Sequence, residues 1–397
     1  MLISYKFRLH PSKTVQAKLQ EQLGLCRWLY NRLLEEINKA KEDGRKLRQT
    51  DTQSLILKLK KGKPELNKVY SKVLQMVNYQ LWSNIKALSK LKQNGKKVGK
   101  LRYKTGNSFK TMNFNQSGFK IDFQRKKLVL SKVGEIPIKL HRPIEGKIKG
   151  VIVKREKSGK WYAIVQAEVG EQVLPPTGKV VGIDVGIQHF CVDSDGNYFE
   201  NPRFMDRTLN KIKKLQKQLS RKQKTSKNRE KARIKLAKAY EKLENQRNDF
   251  LHKLSRYYVN NYDVIVVEDL DVKGLVENGK SSTLNRHILD SSWSKFIQLL
   301  SFKAERAGRR VVKVNPTNTS KRCVKCGNVL DLKLSDRVFK CQCGWEADRD
   351  YNASLNILNV GLGQSRMPVE GEPLPCVISA IEVLQGKFSL RSRKPLA

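Results

Sequence analysis

The 397-residue sequence predicts a multidomain α/β protein, in which a β domain interrupted by helices precedes a larger α/β domain. Three observations predict this class. Apolar residues alternate at the start of the chain and again over residues 100–175, which is the period of a β-strand. Residues 12–99 instead show helical spacing. Two β-branched runs at residues 180–184 and 264–268 then lie among further helical segments, as in an α/β domain.

The first elements are one strand followed by helices. Alternating apolar residues predict a strand that Pro11 ends, and Ser12 can cap the helix that follows. Gly24 is expected to split the first helical stretch into a pair of helices. Asn94 and Gly95 are expected to end the last helix of this region. The alternating residues of the first strand are Ile3, Tyr5, Phe7 and Leu9.

A small β-barrel-like domain is predicted from residues 1–11 together with residues 100–175, so that the helical domain of residues 12–99 is an insertion into it. Residues 174–178, Leu-Pro-Pro-Thr-Gly, are expected to be a linker.

The second half of the sequence predicts one α/β domain, built from residues 179–320 and 346–360. Residues 206–260 form a basic helical hairpin within it, and residues 321–345 form a cysteine segment that interrupts it. Residues 361–397 lack apolar periodicity and are expected to be a mobile tail.

Composition points to a polyanionic partner. Lysine and arginine number 80 against 37 acidic residues, a formal net charge of +43, which attracts phosphate backbones. A ribosomal-type or membrane-surface protein is the alternative, although ribosomal proteins are usually shorter. No apolar run approaches the roughly 18 residues of a membrane span, and the N-terminus lacks the apolar stretch of a secretory signal. Seven cysteines, four of them closely spaced, suit a reducing compartment and a metal rather than disulfides.

Three acids are the candidate catalytic residues. Asp184 and Glu268 each end a β-like apolar run, and Asp350 is expected to start a helix. A carboxylate at the end of a buried strand is costly unless a cation binds it. If a ribonuclease-H-like sheet brings the three acids together, they can hold two Mg²⁺ ions about 4 Å apart for phosphodiester hydrolysis. Each acid alone is weak evidence, because an isolated acid at a strand end is more often a turn or cap residue, and Asp269 and Asp348 are competing carboxylates.

Four cysteines are the candidate ligands of one structural Zn²⁺. Cys323 and Cys326 are spaced Cys-x2-Cys, and Cys341 and Cys343 follow as a tighter Cys-x-Cys pair. Four thiolates suit a tetrahedral zinc ion and leave no open coordination position, which favours a structural role over catalysis.

A dense basic run marks the first arm and the turn of the predicted hairpin. Such a run is often only a solvated face, but phosphate contact is the better hypothesis because the like charges repel one another without a polyanion. The run comprises Lys211, Lys213, Lys214, Lys217, Arg221, Lys222 and Lys224.

These motifs, taken in their order and spacing, resemble the TnpB family of transposon-encoded RNA-guided DNA nucleases (the OrfB family), which is related to type V CRISPR effectors. The resemblance covers nearly the whole chain except the tail. It is carried by Tyr5-Lys6-Phe7-Arg8-Leu9-His10-Pro11, Trp28-Leu29-Tyr30-Asn31, Gly182-Ile183-Asp184-Val185-Gly186, Asp249-Phe250-Leu251-His252-Lys253-Leu254, Glu268-Asp269-Leu270, the four cysteines and Asp348-Arg349-Asp350-Tyr351-Asn352-Ala353.

The resemblance implies a wedge-like β domain with an inserted helical recognition domain, followed by a ribonuclease-H-like (RuvC) nuclease domain that a zinc-finger segment interrupts. It implies Asp184, Glu268 and Asp350 as the catalytic triad. The Cys-x-Cys pair departs from the commoner family spacing, which bears on the zinc geometry.

The resemblance also implies the partners. They are a guide RNA derived from the transposon end and double-stranded target DNA carrying a short adjacent motif, while guide pairing reads the rest of the sequence. A monomeric ribonucleoprotein in the prokaryotic cytoplasm, associated with the nucleoid and not with a membrane, is the expected form. The segments that resemble contacts to the motif duplex contain Gln53, Lys72, Gln75 and Asn115, which could also be ordinary surface residues.

Two rival functions remain open from the sequence. One is a nuclease-dead, RNA-guided transcription regulator, which would keep the basic surfaces but lose the acids. The other is a transposase that acts without RNA, joins strands and binds element ends specifically. RNA that copurifies with the protein would separate RNA guidance from transposition.

Overall fold

The structure, a computed structural model, describes residues 1–106, 108–279, 281–333, 336–363 and 376–386. The chain divides into two compact units, residues 1–170 and the residues from 171 onward. In the described part of the chain, no helix has the length and apolar character needed to cross a membrane.

The described residues of the first unit combine one antiparallel sheet with three α-helices. Its strands are β1 (Leu2–Leu9), β2 (Thr111–Asn115), β3 (Phe119–Asp122), β4 (Lys127–Leu130), β5 (Gly134–Lys139), β6 (Lys147–Arg155) and β7 (Trp161–Glu168). Its helices are α1 (Lys13–Glu42), α2 (Gln49–Gly62) and α3 (Ser71–Gln93). All three helices therefore lie between the first and second strands of the sequence.

The sheet of this unit has the strand order β2-β6-β7-β1-β5-β4-β3. β1 pairs antiparallel with both β7 and β5, so the first strand joins the sheet formed by the later residues. The two edge strands, β2 and β3, are separated in sequence only by the short 3₁₀ turn Gln116–Gly118. Because so short a connection holds the two edges together, the sheet curves into a nearly closed barrel.

The helices and the sheet share one apolar core. Phe7 and Leu9 of β1 are fully buried in the same cluster as Leu19 and Leu29 of α1. Ser12 caps α1 as expected, with its Oγ accepting a hydrogen bond from the Val15 amide at 3.3 Å.

The expected break at Gly24 is wrong, because α1 runs continuously through it. A glycine inside a helix costs only about 1 kcal/mol relative to alanine. The buried residues on both sides, among them Leu23 and Leu25, supply more than that by packing into the core.

The second unit is an α/β structure. Its strands are β8 (Val180–Val185), β9 (His189–Asp193), β10 (Asn197–Glu200), β11 (Val264–Glu268), β12 (Arg310–Val314), β13 (Val338–Lys340), β14 (Glu346–Asp348) and β15 (Cys376–Ile378). Its helices are α4 (Phe204–Ser220), α5 (Lys227–Asn261), α6 (Val272–Glu277), α7 (Ser282–Ser291), α8 (Trp293–Arg306), α9 (Arg349–Leu362) and α10 (Ala380–Gln385).

The main sheet of this unit has the order β12-β11-β8-β9-β10-β15. β8, β9 and β10 are consecutive antiparallel strands, whereas β11 and β12 run parallel to β8. Strands β13 and β14 form a separate two-stranded hairpin. β8 is therefore a central strand with neighbours on both sides.

Helices α4 and α5 form a long hairpin. Arg229 closes its turn by donating from Nη1 to the carbonyl oxygens of Leu219 at 2.9 Å and Lys222 at 2.8 Å. These bonds satisfy carbonyl groups at the end of α4 that have no partner within the helix. The hairpin is fixed to α7 by Asp290, which accepts from Arg247 Nε at 2.6 Å and from the Met205 amide at 2.9 Å.

The expected linker of residues 174–178 is anchored to the second unit. Asp263 accepts hydrogen bonds from the backbone amides of Thr177 and Gly178, and the buried Arg309 donates to the Pro175 carbonyl at 2.6 Å. The proline-rich composition therefore marks an irregular but fixed segment.

The expected mobile tail is wrong for residues 376–386. β15 pairs parallel with β10, and α10 begins at a capping box formed by Ser379 and Glu382. Ile378, Ala380 and Val383 are buried in the core of the second unit. Elements of three and six residues are too short to produce a periodic sequence signal, which explains the error. Residues 364–375 and 387–397 of the expected tail lie outside the described residues.

Candidate metal centre and cysteine cluster

Three acidic side chains from distant parts of the sequence meet over one face of the main sheet. Asp184 lies in β8, Glu268 is the last residue of β11, and Asp350 is the second residue of α9. The parallel register of β8 and β11 aligns Ile183 with Val267, so the next residues, Asp184 and Glu268, are neighbours. α9 packs on both strands and brings Asp350 to them.

Glycines allow α9 to lie close to these strands. A Cβ atom at Gly182 would stand 2.2 Å from the Ser354 carbonyl oxygen of α9. A Cβ at Gly361 would stand 2.3 Å from the Val266 side chain of β11. Only glycine permits such an approach, so the first glycine of the Gly-Ile-Asp-Val-Gly motif serves the packing that carries Asp350 to Asp184.

The electrostatics of Asp184 favour a cation. Burial, followed by the charges of Asp350 and Glu268, raises the pKa of Asp184 well above its usual value. Arg349 acts in the opposite direction. A bound divalent cation reverses such a shift, because it favours the ionised form of every carboxylate around it.

Glu268 faces the site, whereas its neighbour Asp269 does not. The Glu268 side chain is 8 % exposed and accepts a hydrogen bond from Thr319 Oγ1 at 2.5 Å. Burial raises the pKa of Glu268, and the bond from Thr319 opposes that rise. Asp269 is exposed and pairs with Lys313 at 2.9 Å. This placement follows the alternation of side chains along a strand.

One carboxylate oxygen of Asp350 is paired with the neighbouring Arg349. Arg349 Nη2 lies 3.3 Å from Asp350 Oδ1, and both side chains are 15 % exposed. The other oxygen, Oδ2, faces the backbone at Gly186, where an added Cβ would stand 3.9 Å away. Asp348 caps the helix, since its Oδ1 accepts from the amides of Asp350 at 2.9 Å and Tyr351 at 3.1 Å. Asp348 therefore caps α9, and its charge also contributes to the raised pKa of Asp184.

The donor set fits a hard divalent cation. Carboxylate oxygens are the ligands that Mg²⁺ and Mn²⁺ prefer, and buried acids that repel one another need such a charge. The three carboxylates are spread more widely than a single tetrahedral shell. Among the described residues, only the four cysteines bring their ligand atoms within 4.8 Å of one another.

The cysteine cluster has the geometry of a tetrahedral metal site. Cys323 Sγ lies 3.6 Å from Cys343 Sγ, and Cys326 Sγ lies 3.5 Å from Cys341 Sγ. Four sulfurs at about 2.3 Å from one metal stand about 3.8 Å apart, close to these distances. The Cys-x-Cys pair fits because it occupies the turn between β13 and β14, where the Cys341 amide donates to the Trp345 carbonyl at 2.9 Å.

Two buried asparagines of α9, Asn352 and Asn356, tie the cysteine segment to the helix that carries Asp350. A buried hydrogen-bond network of this kind fixes the relative positions of its members. The bonds run from Asn352 Nδ2 to the Arg322 carbonyl (2.8 Å), from the Val324 amide (3.3 Å) and Trp345 Nε1 (3.1 Å) to Asn352 Oδ1, and from Asn356 Nδ2 to the carbonyls of Arg322 (2.7 Å) and Thr319 (2.9 Å).

The supporting residues of the site were not predicted from the sequence. Thr319, Asn356 and the role of Arg349 were not singled out, and Asn352 was quoted only as part of a motif. One signal was available, because Asn352 and Asn356 are four residues apart on one helix. Polar residues at that spacing share one face of the helix and indicate a buried hydrogen-bond network.

The candidate nucleic-acid contacts occupy two kinds of surface. Lys211, Lys214, Arg221 and Lys222 are all exposed, on α4 and on the turn that follows it.

In the first unit, four further candidates are partly buried. Gln53 of α2 accepts a hydrogen bond from Asn78 of α3 at 3.1 Å, and Lys72 and Gln75 lie near the start of α3. Asn115 ends β2, and its buried Oδ1 has no hydrogen-bond partner among the described residues. The Gln53 side chain is therefore already used in a contact between two helices, whereas the Asn115 side-chain oxygen has no hydrogen-bond donor among the described residues.

Three family models match consecutive parts of the chain. One described as "Probable transposase" (OrfB) matches residues 162–279, which include Asp184 and Glu268. One described as "Cas12f1-like, TNB domain" matches residues 293–357, which include the four cysteines and Asp350. A third, described as "Helix-turn-helix domain", matches residues 1–46, which here form β1 and the single long helix α1.

Curated relatives align over almost the whole chain. A protein of Escherichia coli K12 named "Putative RNA-guided DNA endonuclease InsQ" is 31% identical over 394 residues, covering 94% of this chain and 96% of its own. A protein of Streptomyces pristinaespiralis named "Putative RNA-guided DNA endonuclease" is 33% identical over 374 residues, covering 91% of this chain and 90% of its own.

A solved structure shares the fold. The protein of a Cas12f1–sgRNA–target DNA complex superposes with a TM-score of 0.55 at 16% identity, covering 88% of this chain and 83% of that one. With two relatives aligned over about nine tenths of their length, the chain belongs to the OrfB (TnpB) family of transposon-encoded proteins.

Proposed function

We propose that the chain is an RNA-guided DNA endonuclease of a transposable element. It binds a guide RNA from the transposon end, recognises a short motif beside the target, and cleaves double-stranded DNA at one metal-dependent site. The observation that carries this proposal is the meeting of Asp184, Glu268 and Asp350 on the main sheet of the second unit. The names of the two long relatives and the complex formed by the structural neighbour support the substrate and the partners.

The second unit is a ribonuclease-H-like (RuvC) nuclease domain in this proposal. Three antiparallel strands followed by two strands parallel to the first, in the order β10-β9-β8-β11-β12, support that assignment. The barrel strands of the first unit would form the wedge domain, and α1 to α3 the recognition domain inserted into it. The β13–β14 hairpin and its four cysteines would form the zinc finger.

Two Mg²⁺ ions at the acid site would supply an activated water and stabilise the leaving oxygen of an in-line displacement. Two contacts would orient the acids for this role. Glu268 is fixed by Thr319, and Asp350 turns its Oδ2 toward the backbone beside Asp184. One Zn²⁺ on the four thiolates would be structural, because no coordination position stays open.

The electrostatic character of the chain fits a ribonucleoprotein that works on chromosomal DNA in the cytoplasm. A formal net charge of +43 is balanced by bound RNA and DNA, and it raises the rate of encounter with them. We expect one chain per guide RNA.

The first test is to express the chain with its flanking genomic DNA, purify it, and sequence the bound RNA. We expect a discrete RNA that ends in a variable guide, and Mg²⁺-dependent cutting of DNA matching that guide. A scrambled guide on the same RNA is the control and should abolish cutting.

The outcomes separate the rival functions. Protein that carries no RNA, or that joins DNA strands instead of cutting them, would favour the transposase. Guided binding without cutting in the presence of Mg²⁺ would favour the transcription regulator, although that class loses the acids that this chain retains.

The basic hairpin provides a second prediction. Replacing Lys211, Lys214, Arg221 and Lys222 together by alanine should weaken nucleic-acid binding. It should also make the dependence of log K on log salt shallower by about 3, because each phosphate contact contributes roughly 0.7–0.9 to the slope. Filter binding across a salt series measures this.

The matched control removes the same charge elsewhere in the second unit. In this control variant four lysines are replaced by alanine, each of which pairs with a neighbouring acid and should contribute little to phosphate binding. The four are Lys273, Lys313, Lys321 and Lys340. Equal slopes for the two quadruple variants would contradict a specific role for the hairpin.

A further inference from the structure

The contact between Thr319 and Glu268 joins a loop to the acid site. Thr319 lies between β12 and the first cysteine of the cluster, 51 residues after Glu268. Both side chains are buried, at 6 % and 8 % exposure, and the Oγ1–Oε1 distance is 2.5 Å. A hydroxyl this close to a buried carboxylate is a strong, charge-assisted donor.

The single hydroxyl proton of Thr319 has two possible acceptors. The Pro316 carbonyl lies 3.2 Å from Oγ1, whereas Glu268 Oε1 lies 2.5 Å away and carries charge. Because the contact with Glu268 is shorter and its carboxylate is charged, the Thr319 hydroxyl donates its hydrogen bond to Glu268 Oε1. The Pro316 carbonyl is then at most a minor acceptor, and the hydroxyl fixes Oε1.

The backbone of Thr319 is held independently. Asn356 of α9 donates from Nδ2 to the Thr319 carbonyl at 2.9 Å, and the same amide group donates to the Arg322 carbonyl at 2.7 Å. The hydroxyl is therefore anchored to the helix that carries Asp350. The side-chain conformation of Glu268 therefore depends on the position of α9, through Asn356 and Thr319.

We propose that Thr319 is a positioning residue of the nuclease site: its hydroxyl fixes Oε1 of Glu268, which leaves Oε2 directed at the divalent cation shared with Asp184 and Asp350. The proposal rests on the proposed function, because it assigns Thr319 a task toward the cation of that site. Thr319 would act through Glu268 and not directly on the substrate. Hydrogen-bond partners of metal ligands typically change metal affinity or activity by about 10–100-fold when removed.

Two substitutions separate the hydroxyl from the shape of the side chain. Thr319→Val keeps the volume and branching but removes the donor, and Thr319→Ser keeps the donor but removes a methyl group. A purely structural role predicts that both behave alike. A positioning role predicts that Thr319→Val loses cation affinity and Thr319→Ser regains most of it.

The experiment titrates Mn²⁺ into the full-length protein and follows free Mn²⁺ by electron paramagnetic resonance. Asp184→Asn defines the background from other sites. We expect Thr319→Val to weaken the specific Mn²⁺ binding about 10–100-fold. With guide RNA and target, we expect kcat to fall at saturating target while the KM for DNA stays unchanged. Thr317→Val is the matched control, because the Thr317 hydroxyl is exposed and bonds to Asn315 within the loop.

Each outcome decides a different claim. Wild-type affinity in Thr319→Val, or equal losses in Thr319→Ser and Thr319→Val, would overturn the positioning role and leave the nuclease site intact. Wild-type protein that binds no Mn²⁺ above the Asp184→Asn background would instead overturn the metal site itself. If Thr319→Val does not fold by circular dichroism, Thr319→Ala takes its place with the same expectation and the same control.

Discussion

Replacing any one of Asp184, Glu268 or Asp350 by its amide should abolish DNA cleavage and leave binding of RNA and DNA unchanged. The amide keeps the shape of the side chain but removes a ligand charge. Stabilisation by bound metal ions contributes several kcal/mol, so a loss of about 4 kcal/mol would slow cutting roughly 1,000-fold. Single-turnover cleavage at saturating Mg²⁺, with gel-shift binding measured in parallel, tests this expectation.

Asp269→Asn is the matched control for Glu268→Gln. The two residues are adjacent, but Asp269 is exposed and paired with Lys313, so its amide variant should cut at the wild-type rate. Full cutting by a purified, metal-replete Asp184, Glu268 or Asp350 variant would exclude that residue from the catalytic set.

The Asp184→Asn variant should lose cleavage activity but gain thermal stability in the absence of metal ions. In the metal-free protein, Asp184 sits among Asp350 and Glu268, and its pKa is raised by burial and by their charges. Asp184→Asn removes this repulsion and should raise the melting temperature in the absence of Mg²⁺, by about 2–4 °C for each kcal/mol gained. A residue kept for folding alone would show the reverse, which makes the melting curve informative.

Asp184 and Glu268 could be singled out from the sequence because each lies where local rules conflict. A charge that ends a β-branched run is visible without a structure, and alternation along β11 separates Glu268 from Asp269. The cysteine spacing gave the cluster for a similar reason, since its ligand types and intervals are characteristic of a metal site.

Contacts between residues far apart in the sequence could not be predicted from the sequence. Thr319 is an ordinary loop threonine until the fold places it against Glu268 across 51 positions of sequence. The strand β15 and helix α10 have only a few apolar residues each, and they exist because β10 and the core offer them partners. Gly24 predicts a break in α1 that does not occur, because packing on both sides of it outweighs its low helix propensity.

Loss of the zinc ion that we propose on the four cysteines should abolish cutting even though all three acids remain. The described residues of 317–348 contain one short hairpin, and Val324, Phe339 and Trp345 share a small apolar cluster with Tyr351 and Leu355 of α9. So small a unit depends on its metal, and structural zinc typically contributes about 10–16 kcal/mol to such a fold. Cys323→Ser should therefore release the segment, which hydrogen-exchange mass spectrometry would show as fast exchange at 317–348.

The effect on cutting should pass through α9. Without the folded segment, Asn352 and Asn356 lose the carbonyl groups of Arg322 and Thr319 that they bind, and Glu268 loses its hydroxyl donor. The Cys323→Ser variant should then show weak Mn²⁺ binding at the acid site, together with normal protection of β8 and β11.

Cys343 permits a control that keeps the metal. It is the exposed member of the cluster, so a histidine there has room to replace the thiolate as a ligand. Cys343→His should retain zinc and most of the cutting, whereas Cys343→Ser should lose both. If Cys343→Ser loses its zinc but cuts at the wild-type rate with Mg²⁺ present, the cysteine segment and the acids are independent. The asparagine contacts of α9 would then serve the packing of the segment alone.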